Sequence, residues 1–83
     1  MAYDASKEET KEIGRVKKND RGEYIIVSLV KNKDTGVESV DARLHYTDDN
    51  GEIVPTKKGF RVNAELAGDL QEFFRKIAEE DYK

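Results

Sequence analysis

The chain has 83 residues, no cysteine, one histidine and a formal net charge of −3, which bounds it to one small domain. Cysteine-free sequence excludes disulfides and thiolate metal sites, and His45 alone cannot build a zinc centre, so no metal and no cofactor is expected. A single core of this size rarely supplies more than roughly 3–5 kcal/mol, which leaves self-association as the natural supplement.

The charge is unevenly spread. Residues 1–10 sum to −2, residues 11–62 to +2 and residues 63–83 to −3. The central part is therefore basic and the C-terminal part acidic. A local patch matters more to a charged ligand than the total, because screening limits reach to about 8–10 Å. No stretch approaches the roughly 20 apolar residues of a membrane span, and Met1 to Glu12 carry no apolar run of the secretory kind. The expected location is cytoplasmic and nucleoid-associated in a bacterium, nuclear in a eukaryote, with no membrane partner.

In chain order, residues 1–11 are polar without periodicity and read as a disordered arm, followed by one domain over 12–83. Glu12 to Lys18 forms a short first strand, and Asn19-Asp-Arg-Gly22 carries turn chemistry. Glu23 to Asn32 is the clearest strand, with Ile25, Val27 and Leu29 alternating onto one face. Its other face shows Tyr24, Ile26, Ser28 and Val30. That is too apolar for a solvated side, and predicts burial by a second copy or a ligand.

Lys33 to Gly36 makes a hairpin loop, and Val37 to Thr47 the next strand. There Val40, Ala42, Leu44 and Tyr46 share one side, while Ser39, Asp41, Arg43, His45 and Thr47 share the other. Asp48-Asp-Asn-Gly51 is a turn, and Pro55 assigns Glu52 to Thr56 to loop or edge. Gly59 to Val62 is a short last strand. Asn63 then caps a helix whose Leu66, Leu70, Phe73, Phe74 and Ile77 fall in one stripe about 100° wide. The fold class is α+β: a four-stranded curved antiparallel sheet followed by one C-terminal amphipathic helix, ββββα.

Catalytic and metal motifs fail on spacing. In Asp48 to Glu52 the glycine is fourth rather than sixth, and the twelfth position is Gly59 rather than a bidentate Glu, which excludes a calcium loop. Lys57-Lys58-Gly59 lacks the preceding residues of a phosphate-binding loop. One histidine and no cysteine leave triad chemistry without its parts. The expectation is a protein that is not an enzyme.

One ordered set of residues carries a resemblance. Asp41, Arg43, an aromatic at Tyr46, Asp48, Gly51-Glu52, Pro55, the basic pair Lys57-Lys58, Gly59, Asn63 and Leu70 run without a gap, and Ile13-Gly14-Arg15 precedes them. This set resembles the C-terminal domain of the transcriptional positive cofactor 4 family, single-stranded-DNA-binding coactivators with bacterial and phage relatives. The resemblance spans roughly Glu12 to Ile77. It implies a homodimer whose sheets form channels for unpaired strands, with a role in transcription regulation, replication or repair. It also implies Arg15, Arg43, Lys57 and Lys58 as phosphate contacts and Tyr46 as a stacking platform. Such a groove suits single-stranded binding, since stacking is worth roughly 1–3 kcal/mol per base. Tyr46 stands where the family often has tryptophan, and Val54 where a lysine is common. Strict alternation sets Arg43 and Tyr46 on opposite faces unless a bulge or the strand-end twist re-aims one of them. The partner expected is single-stranded DNA, with RNA or melted duplex as variants of the same groove. A module that docks its acidic helix onto a transcription or replication protein is the competing reading.

Overall fold

A computed structural model describes residues 7–79. Four antiparallel strands, β1 (Glu8–Lys17), β2 (Glu23–Asn32), β3 (Glu38–Thr47) and β4 (Ile53–Asn63), pair in sequence order as one open sheet. A 3-10 turn (Ala64–Leu66) leads into helix α1 (Ala67–Ala78). The ββββα order is as the sequence predicts.

Two boundaries differ. The first strand begins at Glu8 rather than Glu12, so the part of the expected 1–11 arm from Glu8 onward pairs with Asn32 to Leu29. Lys7 is described too, its carbonyl accepting from Lys33 N, and residues 1–6 lie outside the described residues. Backbone pairing decides here: β2 is long enough to template Glu8-Glu-Thr-Lys11, whatever those side chains prefer. The last strand, expected as Gly59 to Val62, runs from Ile53 continuously across Pro55, so of the loop or edge expected for 52–56 it is the edge that holds. β4 is an edge strand, and on an edge the missing proline N–H removes no ladder bond.

The turns follow local chemistry. Asn32 Oδ1 accepts from the amides of Asp34 (2.9 Å) and Thr35 (3.1 Å), and Asp48 Oδ1 accepts from those of Asn50 and Glu52 (both 2.9 Å). Asn63 caps the 3-10 turn, its Oδ1 accepting from Glu65 N at 2.8 Å.

Register assigns the faces. Tyr24, Ile26, Ser28 and Val30 lie with His45, Arg43, Asp41 and Ser39 on a polar face; Ile25, Val27 and Leu29 lie with Leu44, Ala42 and Val40 on the other. Helix α1 sits over the second. Between it and the sheet runs an apolar groove of about 530 Å³, whose walls include Ile13, Val27, Val40, Phe60, Leu70 and Phe74.

The face left open is the opposite of the one expected. Ile26 and Val30, at 6 % and 3 % exposure, are buried on the polar face without a second copy. Arg15 and Arg43 flank Ile26 on its rung, where the long stem of an arginine can cover an apolar neighbour. On the helix side only Leu44 reaches the same class of burial, and α1 buries no residue at all. Phe73, Phe74 and Ile77 remain 58 %, 60 % and 58 % exposed. Predicting which face stays open needed the lengths of the covering side chains, not only the apolar periodicity.

Candidate nucleic-acid interface

Two neighbouring rungs of the polar face collect most of the residues in question. One rung reads Lys17–Tyr24–His45–Pro55 across the four strands; the next reads Arg15–Ile26–Arg43–Gly59. Between Pro55 and Gly59, β4 places Thr56, Lys57 and Lys58 opposite the single residue Leu44 of β3, a bulge in the edge strand. Arg15 and Arg43, separate in sequence, are thereby brought to one face, with the Lys57-Lys58 bulge on the edge strand beside them and Lys58 turned toward the helix side.

Two rings stand among these cations. Tyr24 and His45 are cross-strand partners, both half-buried, and the Arg15 guanidinium lies 5.8 Å from the centroid of the Tyr24 ring, within cation–π range. His45 Nδ1 is 3.0 Å from the Arg43 carbonyl oxygen, so this nitrogen carries the proton and donates. Tyr46 lies elsewhere. The β2–β3 ladder is unbroken through Arg43 and Tyr46, and the bulge falls in β4, so nothing re-aims either residue. They point to opposite faces, as strict alternation requires.

The next rung inward is acidic, and it orients the arginines. Arg15 forks onto Glu12 with bonds of 2.8 and 2.7 Å, across the β1 irregularity at Ile13. The fork holds Glu12 below its ordinary carboxylate value and raises Arg15 further. Arg43 Nη2 lies 3.1 Å from Asp41 Oδ1, and Asp41 is also reached by Arg61 Nε at 3.4 Å. Lys57 and Lys58 differ: neither makes an ion pair among the described residues.

Lys18, singled out by no sequence motif, joins this end of the molecule. With Lys58 it lines a cleft of about 340 Å³ on the helix side, over Ile25, Ala42, Leu44 and Phe60. Tyr24 and Lys17 were likewise missed as site residues. The signal was available for Tyr24, an aromatic on the same strand face as Ile26. Its proximity to Arg15 and His45 needed the pairing of three strands.

No group of three or more His, Cys, Asp or Glu among the described residues is arranged to hold a metal ion. No helix there is long and apolar enough to cross a membrane. Compared with models of known families, with curated proteins and with solved structures, the chain matches none. The reading of the site therefore rests on its own geometry.

Proposed function

We propose that the chain is a non-catalytic module that binds single-stranded DNA across the polar face of its sheet. The observation that carries this is the two-rung cluster. Tyr24 and His45 lie side by side, bordered by Lys17 and Arg15 on one edge and by the Lys57-Lys58 bulge on the other. Unpaired strands are held without sequence readout by cations that track phosphates and rings on which bases stack. In this reading Lys17, Arg15 and Lys57 contact phosphate, Lys58 adds positive charge from the rim toward the helix side, and stacking falls to Tyr24 and His45 rather than Tyr46. The same cluster takes single-stranded RNA equally well, since nothing in it addresses a 2′-hydroxyl.

The working unit in this proposal is a homodimer. An open apolar groove beside an unburied Phe73, Phe74 and Ile77 supports pairing through the helix side, which leaves the polar face free.

The test is the double charge reversal Lys57→Glu with Lys58→Glu, read by fluorescence anisotropy of a labelled ~20-nucleotide single strand at two salt concentrations. Binding by the wild type that weakens with salt and is lost in the double variant is the expected result. Undiminished binding by the variant would sink the assignment. Absence of wild-type binding at low salt would favour the module docking its acidic helix on a protein.

A further inference from the structure

The β4 bulge carries an inference that rests on the single-strand reading and gives Arg43 a different part in it. Setting three residues against one removes ladder partners from the backbone, and each freed polar group has to find another. Two side chains supply them. Thr56 Oγ1 donates to the Leu44 carbonyl at 2.8 Å and accepts from Lys58 N at 3.1 Å. Arg43 Nη1 donates to the Thr56 carbonyl at 3.1 Å. Gly59 closes the bulge because a Cβ there would lie 2.4 Å from the Ala42 carbonyl oxygen and 2.7 Å from Arg43 Cα.

Arg43 is itself held. Its Nη2 bonds Asp41 Oδ1 at 3.1 Å, its Nε lies 3.4 Å from both carboxylate oxygens, and Asp41 is only 8 % exposed. The donors of this guanidinium are thus turned onto the protein's own carboxylate and carbonyl, in the fork geometry that arginine has and lysine lacks. The lysines on the bulge itself make no ion pair among the described residues.

We propose that Asp41, Arg43 and Thr56 form a brace that fixes the bulge and presents Lys57 at the sheet edge to an unpaired strand, with Lys58 held at the rim toward the helix side, so that Arg43 is a positioning residue and not a phosphate contact. A counter-intuitive sign follows. Asp41→Asn removes a negative charge beside the groove, and bare electrostatics would tighten binding of a polyanion. The brace requires the reverse: loss of the carboxylate frees Arg43, loosens the bulge and weakens binding.

The experiment compares wild type with Asp41→Asn, Arg43→Lys and Thr56→Val, the last of which changes no charge and keeps the β-branched shape. Each is read by anisotropy with a ~20-nucleotide oligo-dT over a salt series, by thermal melt, and by amide hydrogen exchange over 56–59. The expected result is several-fold weaker binding in all three, with Thr56→Val and Arg43→Lys melting near the wild type. The salt slope should become shallower by roughly 0.7 for each lysine that loses its phosphate. Faster exchange should be confined to 56–59, a readout that general destabilisation would spread over the sheet. Wild-type binding by Thr56→Val, or tighter binding by Asp41→Asn, overturns the brace and returns Arg43 to direct contact. Where Asp41→Asn fails to fold, Thr56→Val decides alone. A wild type that binds no oligonucleotide removes the single-strand reading only. The exchange over 56–59 in Arg43→Lys then decides the brace, and unchanged exchange overturns it.

Discussion

Tyr24 is the residue whose weight in the site changes most once the strands are paired. Its ring lies beside His45 and 5.8 Å from the Arg15 guanidinium, whereas Tyr46 stands on the other face beside Val54. Removing a stacked ring costs roughly 1–3 kcal/mol per base, and about a tenfold loss of affinity corresponds to the lower half of that range. Tyr24→Ala is expected to lose about tenfold in oligonucleotide anisotropy, and Tyr46→Ala distinctly less. Glu12 gives a second expectation at this scale. Its bonds to Arg15 set its folded-state pKa below the ordinary 4.5, so on acidification the unfolded chain takes up the proton first. The pair's contribution is fully present above that ordinary value and is lost as pH falls through it toward the folded value. Glu23, bonded by Asn19, and Glu72, bonded by Arg75, shift in the same direction. A thermal midpoint followed from pH 7 down to about 3 should fall below pH 5, and Glu12→Gln should flatten part of that fall.

At the scale of elements, each piece is started or stopped by a side chain legible in the sequence. Asn63 is the clearest: its Oδ1 bonds Glu65 N at 2.8 Å and opens the 3-10 turn ahead of α1. Asn63→Ala is expected to cost about 1 kcal/mol, read as an earlier midpoint in urea denaturation followed by circular dichroism. What the sequence could not show at this scale is equally specific. Pro55 reads as a residue that ends a strand or confines it to an edge, yet β4 continues through it because Pro55 sits where no donor is needed and Thr56 repairs the ladder with its own hydroxyl. Glu8 to Lys11 lacks any strand pattern and is extended only because β2 continues beside it. Local preference sets turns and caps; pairing with a neighbour sets strand ends, and that information lies elsewhere in the chain.

For the whole molecule, the open helix side dominates the energetics. Ile26, Val30 and Leu44 are the only buried apolar side chains among the described residues, a small core for a folded unit. Covering a Phe side chain fully is worth about 1.5–3 kcal/mol, so enclosing Phe73, Phe74 and Ile77 would match a large part of a small domain's stability. Sedimentation equilibrium is expected to give a dimer, and Phe74→Asp to give monomers with a lowered melting temperature. A monomeric wild type would remove the dimer from the proposed function and leave the polar face untouched. The expectation of a second copy rests on chain length and the absence of cysteine; which side of the sheet stays open was not readable there. Apolar residues line both faces of β2, and only the arginine stems beside Ile26 distinguish them.

Both borders of the sheet are interrupted, β1 by the irregularity at Ile13 and β4 by the bulge at 56–58. A straight, unpaired strand is a template onto which a further ribbon can zip, and then another, without end. Here neither border offers an unbroken row of amides and carbonyls, and charged side chains from Glu8 to Lys17 line one of them. Copies of this chain are left with contact through a face, and a face that meets its own twin about a two-fold axis is used up in doing so. The kinks at its margins thus cap growth along the sheet: in the proposed dimer, pairs that stop, in place of fibres that grow.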